Sequence, residues 1–120
     1  MKRLLVVDDQ AGITGLLKML FQHLGYDVLV RETGQEALQS YEDVDLLITD
    51  YYLPDISGVD VVKTIRETCA LPIVVMSGLI DEAKAALTDY PSVHFVGKTF
   101  SIKEMGMAVA ETLRSEVTVR

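Results

Sequence analysis

The chain holds a single cysteine, Cys69, so no internal disulfide can form. One thiol is compatible with a reducing compartment. Basic charge is also scarce, with 11 Lys and Arg against 18 Asp and Glu and a net charge of −7. The basic residues are scattered rather than clustered, which argues against nucleic acid as a direct partner. A basic partner surface, or a site that holds cations, fits better. No apolar run approaches the length of a membrane span. In the opening MKRLLVVDDQ the apolar run stops at Asp8 after four residues, too short for the core of a signal peptide. A cytoplasmic location away from any membrane is therefore expected. Linkers, low-complexity tracts and residue-level repeats are absent as well. The 120 residues, 49% hydrophobic and 24% charged, are expected to form one globular domain over 1–120.

What the chain does have is a regular alternation of two periods. Leu4-Leu5-Val6-Val7 is a short continuous apolar run bounded by Asp8-Asp9. Ile13, Leu16, Leu17, Leu20, Phe21 and Leu24 follow at helical spacing, with Gly25 as the stop signal. Tyr26 to Val30 reads as a second strand. Thr33-Gly34-Gln35-Glu36 is a capping box that opens a short helix through Ala37, Leu38 and Tyr41. Val44 to Thr49 reads as the third strand. Ser57 to Asp60 opens a helix with Val59, Val62, Ile65 and Cys69 on one side. Pro72 starts a fourth strand, Ile73 to Met76. Asp81 to Leu87 is a weaker helix that ends before Pro91, and Val93 to Val96 is a fifth strand. Ser101 to Glu104 is a second capping box, opening a last helix with Ile102, Met105, Val109 and Leu113 inward.

Continuously apolar strands with helices between them mean a parallel sheet covered on both faces. Five βα units suit an α/β, flavodoxin-like doubly wound (βα)5 fold with strand order 2-1-3-4-5. Ligands of such sheets bind beyond the carboxyl ends of the strands, where the order switches. The first strand ends in Asp8-Asp9, the third in Asp50, the fourth in Ser77-Gly78 and the fifth in Gly97-Lys98. Strands 1 and 3 are neighbours in this order. Three carboxylates would therefore meet in one pocket, beside a hydroxyl and an ammonium. A divalent cation would cancel their remaining charge, and hard oxygen ligands favour Mg2+. A carboxylate beside Mg2+ and Lys98 can attack a phosphorus atom, because phosphoryl transfer needs mainly positioning and charge stabilisation. The aspartyl phosphate formed would carry new charge and strong acceptors. Ser77 and the Gly78 N–H can reorient toward them.

The segments LLVVDD, LLITDYYLPDISG, IVVMSG and HFVGK together resemble the receiver domain of bacterial two-component response regulators, over nearly the whole chain. The resemblance implies roles position by position. Asp50 corresponds to the phosphoacceptor. Asp8 and Asp9 correspond to the acidic pair that holds Mg2+ with Asp50 and the backbone carbonyl of Tyr52. Ser77 matches the hydroxyl that turns toward the phosphoryl group, Lys98 the lysine that pairs with it, and Phe95 the switch aromatic. Pro54 and Gly58 match the loop after the acceptor. A histidine kinase or histidine phosphotransfer protein is the implied phosphoryl source. The face of helix 4, strand 5 and helix 5 is the implied output surface, toward an output domain or a homodimer partner. Such a domain promotes its own phosphorylation and dephosphorylation but is not a turnover enzyme.

The sequence departs from the family in three places. Thr99 follows Lys98, where the family usually has proline after a cis bond. A cis bond to a non-proline residue costs roughly 3–4 kcal/mol, so this loop is either strained or routed differently. Gln10 stands where a further acid is common. The segment from Asp81 lacks the usual Ala-Gly turn, so the fourth helix is expected to be short or mobile.

Plainer readings stand beside these. Asp8 and Asp9 can cap the first helix, where acids suit its dipole. Ser77 can be a helix cap, Phe95 plain core, Lys98 a solvated surface lysine and Cys69 a small apolar filler. His23 is expected at the surface or its boundary, and His94 outward or packed. Two other functions remain open. One is a receiver-like interaction module that is never phosphorylated, for which Thr99 is the support. The other is a phosphatase of the haloacid dehalogenase type, which also uses Asp, Mg2+ and Lys. Its nucleophile lies in a DxD pattern after the first strand, whereas here the acids are adjacent and the chain has no room for a substrate cap.

Overall fold

The computed structural model describes residues 1–90 and 92–118. Five strands alternate with five helices: β1 Arg3–Val7, α1 Ala11–His23, β2 Asp27–Arg31, α2 Gly34–Leu38, β3 Leu46–Asp50, α3 Gly58–Arg66, β4 Ile73–Ser77, α4 Ile80–Ala86, β5 Val93–Gly97 and α5 Ile102–Thr118. All pairings are parallel and the order is β2-β1-β3-β4-β5. This is the flavodoxin-like sheet expected from the sequence. Pro91, read as the bound of the fourth helix, lies outside the described residues, as do residues 119 and 120 of the expected domain.

The continuous apolar runs arise because each central strand is buried on both faces. Leu5, Val7, Leu47, Ile73 and Val75 point to one side, where they meet Ala37, Val61, Val62, Ile65 and Ala83 of α2, α3 and α4. Leu4, Val6, Leu46, Ile48, Val74 and Met76 point to the other, against Leu17 and Phe21 of α1 and Met105 and Val109 of α5. Each such side chain contributes about 1.5–3 kcal/mol on burial, so the two layers fix the register of the sheet. That register sets Val7 beside Thr49, Asp50 beside Met76 and Ser77 beside Gly97. It therefore brings the ends of β1, β3, β4 and β5 to one edge.

Helix starts follow local chemistry. Thr33 and Glu36 form the expected reciprocal capping box. Ser57 Oγ accepts the Asp60 N–H at 3.1 Å. Ser101 Oγ accepts the Glu104 N–H at 3.0 Å, and the Ser101 N–H donates back to Glu104 at 3.3 Å. Gly25, at φ 94°, turns the chain out of α1. α4 has seven residues and its N-cap Leu79 makes no side-chain cap bond, which accords with the short fourth helix expected.

Three sequence readings need correction, and one core residue was missed. Helix α2 stops at Leu38, and Tyr41 belongs to a separate 3-10 turn, Tyr41–Asp43. Cys69 is exposed rather than a core filler, because α3 ends three residues earlier. Ile102 and Leu24 are 53% and 52% exposed. They sit at the first residue of α5 and just past the end of α1, where the helical stripe has run beyond its partners. Val61, buried beside Val62, was not read as core.

Candidate functional site

The carboxyl edge of the sheet gathers the predicted polar residues. Asp8 follows β1 and is 1% exposed, Asp50 closes β3 at 7%, and Ser77 closes β4 at 1%. Asp9 is exposed. One carboxylate oxygen from each of Asp8, Asp9 and Asp50 lies within 4.8 Å of the others. Lys98, just past β5, joins them. Its Nζ donates to Asp8 Oδ2 at 2.8 Å, to Asp50 Oδ2 at 3.1 Å and to Gln10 Oε1 at 3.2 Å. Lys98 is held there by its backbone, whose N–H donates to the Ser77 carbonyl at 2.9 Å. The described residues contain no cis peptide bond, so Lys98–Thr99 is trans. The ammonium reaches both buried acids all the same.

Charge dominates this pocket. Burial pushes the Asp50 carboxyl above its ordinary value of 3.8, and the negative charge of Asp8 pushes it further. The hydrogen bond and charge of Lys98, and the N–H of Tyr52, oppose that rise without cancelling it. Burial pulls the Lys98 ammonium down, but its bonds to Asp8 and Asp50 outweigh burial and leave it above 10.5. An acid that is disfavoured when ionised and a lysine held firmly charged are what one ammonium among three carboxylates produces.

The loop after Asp50 is built from close contacts. Tyr51 N–H donates to the Met76 carbonyl and Gly58 N–H to the Tyr51 carbonyl, both at 2.8 Å. A Cβ on Gly58 would lie 2.3 Å from the Asp50 carbonyl oxygen and 3.0 Å from Tyr51 Cα, so only glycine lets α3 start this near β3. Pro54 and the exposed Tyr52 line a cavity of about 440 Å3 together with Asp9, Asp50, Gly78 and Lys98. Ser77 is not in that lining; its Oγ accepts the Leu79 N–H at 2.9 Å. Phe95 is half-buried and packs on the face covered by α2, α3 and α4. A larger cavity, about 770 Å3, lies around Tyr41, Cys69 and Pro72 at the opposite end of the sheet and includes none of these acids.

Three contacts near the site had no warning in the sequence. Gln10, read as a lost acid, accepts from Lys98. Tyr52 OH donates to Glu82 of α4 at 2.7 Å. Asp55 accepts two backbone N–H groups of α2. Each links residues from separate elements, so no local pattern could have announced it.

Residues 4–110 match the family model described as the response regulator receiver domain. The chain belongs to that family. It is 30% identical over 116 residues to the transcriptional regulatory protein CpxR of Escherichia coli (strain K12), covering 95% of this chain and 50% of CpxR. It is 32% identical over 117 residues to the alkaline phosphatase synthesis transcriptional regulatory protein PhoP of Bacillus subtilis (strain 168), covering 94% of this chain and 49% of PhoP. The chain thus spans about half the length of the curated relatives it matches. Among solved structures, the response regulator TrrA of Thermotoga maritima, in complex with Mg2+-BeF, is 32% identical with a TM-score of 0.83, over 93% of this chain and 99% of that one. Receiver domains of response regulators are signalling proteins rather than turnover enzymes, and they typically interact with histidine kinases. No helix among the described residues is long and apolar enough to cross a membrane.

Proposed function

We propose that this single domain, residues 1–120, receives a phosphoryl group on Asp50 from a histidine kinase or histidine phosphotransfer protein. The observation that carries this reading is the Asp50 carboxylate at the end of β3, beside Asp8 and held 3.1 Å from the Lys98 ammonium. The donor set fits Mg2+. Three carboxylates within 4.8 Å of one another face one ammonium, and the raised pKa of Asp50 marks negative charge that a divalent cation would relieve. All the donors are hard oxygens. Asp8, Asp9, Asp50 and the Tyr52 carbonyl would hold the ion, and the Mg2+-BeF complex of TrrA supports the choice. Bound there, Mg2+ would neutralise charge on the phosphoryl oxygens.

The chain's own groups supply the rest. An Asp50 carboxylate oxygen attacks phosphorus while the donor's P–N bond breaks, and the electron pair stays on the donor nitrogen, which takes up a proton. Lys98 moves from Asp50 to the arriving phosphoryl oxygens. Ser77 leaves the Leu79 N–H and, with the Gly78 N–H, donates to the same oxygens. The vacancy beside Ser77 lets Phe95 turn inward, which shifts the face of α4, β5 and α5 toward a state that an output domain or a second copy binds. Such a switch works by population shift, the phosphoryl group binding one state more tightly than the other.

An interaction module that is never phosphorylated drew its support from Thr99. Lys98 reaches Asp8 and Asp50 through a trans bond, so that support weakens. Against the dehalogenase-type phosphatase reading, which shares only the Asp, Mg2+ and Lys set, stands the match of residues 4–110 to the receiver family.

Incubation with acetyl phosphate and Mg2+, read on a phosphate-affinity gel, tests the proposal. A retarded band that disappears with EDTA is expected. A folded protein that binds Mg2+ yet shows no band with acetyl phosphate or with phosphorylated kinase would refute it.

A further inference from the structure

Asp55 lies outside the acid cluster, yet it ties the acceptor loop to a neighbouring helix. Its Oδ1 accepts the Gly34 N–H and its Oδ2 the Gln35 N–H, both at 2.8 Å. These N–H groups belong to the first turn of α2, where a helix has no partners of its own, and an anionic acceptor binds them strongly. Burial pushes the Asp55 carboxyl up, but the N–H groups of Gln35, Gly34 and Ile56 outweigh it and hold the group below the ordinary 3.8.

α2 already has its own start. Thr33 Oγ1 accepts the Glu36 N–H at 3.1 Å, and Glu36 accepts the N–H groups of Thr33 at 3.2 Å and Glu32 at 3.1 Å. That capping box serves the N–H groups of Glu36, Thr33 and Glu32 and leaves those of Gly34 and Gln35 to Asp55, so the clamp joins the loop to a helix start that keeps a cap of its own. Between Asp55 and Tyr52 stand only Leu53 and Pro54, and the proline ring fixes one backbone angle of that short span. At its other end the loop is fixed by Tyr51, bonded to Met76 and Gly58. Tyr52 lies between the two anchors and lines the same cavity as Asp50, where its backbone N–H favours the ionised carboxyl.

We propose that Asp55 is a positioning residue: by clamping the loop to α2 it fixes the Tyr52 backbone beside Asp50 and so sets the affinity of the acid cluster for a divalent cation. The inference rests on the reading of Asp8, Asp9, Asp50 and Tyr52 as a Mg2+ site.

The test follows backbone amide NMR shifts in three proteins, the unaltered chain, Asp55→Ala and Thr33→Ala, first without metal and then through a MgCl2 titration. Asp55→Ala is expected to move the amides of Tyr52 and Leu53 before metal is added. It is also expected to weaken Mg2+ binding about tenfold, the low end of what loss of an outer-shell partner costs. Thr33→Ala loosens the start of α2 and is expected to leave both readouts unchanged. Asp55→Asn keeps one oxygen acceptor and is expected to fall between; it replaces Asp55→Ala if that variant does not fold. An unchanged Mg2+ affinity in a folded Asp55 variant would overturn the proposal. So would an equal loss in Thr33→Ala, which would assign the effect to α2 alone. An unaltered chain whose amides ignore Mg2+ would instead overturn the metal reading, and the inference with it.

Discussion

Asp50→Asn is expected to take up no phosphoryl group from acetyl phosphate and to make the metal-free protein more stable. The first effect is chemical, since an amide oxygen is not the nucleophile a carboxylate is, and no band should remain on the phosphate-affinity gel. The second follows from the charge in the pocket. Burial and the Asp8 carboxylate both work against ionised Asp50. The amide keeps the shape and removes that conflict, while Lys98 retains Asp8 at 2.8 Å. The expected gain is on the order of 1 kcal/mol, the scale of one unit of pKa displacement; the loss that follows breaking a lone buried pair does not arise, because Lys98 keeps Asp8.

The pH dependence of this gain has a definite sign. A carboxyl raised above 3.8 in the folded state binds its proton more tightly there than in the unfolded chain. Its ionisation therefore lowers stability as pH rises from the unfolded value through the folded one, and the loss is complete above that. The advantage of Asp50→Asn should be full at neutral pH and shrink on acidification into the carboxylate range. Chemical denaturation of both proteins in EDTA at several pH values measures it. Mg2+ should reduce the difference at neutral pH by stabilising the unaltered protein through selective binding to the folded state.

Gly58→Ala is expected to cost about 3 kcal/mol, at the upper end of the usual range for overpacking. The new Cβ would meet the Asp50 carbonyl oxygen at 2.3 Å, with Tyr51 Cα at 3.0 Å and the Tyr51 carbonyl oxygen at 3.1 Å. All three are backbone atoms, so no rotamer change relieves the contact. Either α3 must move outward, or the loop must move and carry Asp50 with it. The Gly58 N–H bond to the Tyr51 carbonyl would lengthen in both cases. Urea unfolding should show a lower midpoint with an unchanged slope, and Mg2+ binding should weaken in the folded fraction. A loss below about 1 kcal/mol, the low end for overpacking, would mean that the close approach of α3 to β3 is not tightly held.

Asp8, Asp50, Ser77 and Lys98 were legible because each ends a short apolar run, and a parallel doubly wound sheet puts all such ends on one edge. The parallel sheet followed from the same runs, and its strand order from the doubly wound fold that five βα units suit. The continuity of those runs required burial on both faces, and only helices on each side provide it. The contacts of Asp55, Gln10 and the Tyr52 hydroxyl were not legible. Their partners, Gly34, Lys98 and Glu82, come from other elements, and hydrogen bonds of exposed polar groups leave no periodic trace. Ile102, Leu24 and Cys69 misled for a related reason. Hydrophobic spacing continues past the point where a helix leaves the sheet, and it carries no information about where the opposing surface stops. Gly58 was recognisable by resemblance alone; its physical cause, the proximity of α3 to the Asp50 carbonyl, needed the three-dimensional contact.

The most direct measurement treats the phosphorylated domain with borohydride and maps the reduced residue by peptide mass spectrometry. Reduction of an acyl phosphate at Asp50 would leave homoserine at position 50 and nowhere else, with no such product in Asp50→Asn. Homoserine at position 8 or 9, or phosphate retained on His23, His94 or a hydroxyl residue, would contradict the assignment of Asp50 as the acceptor.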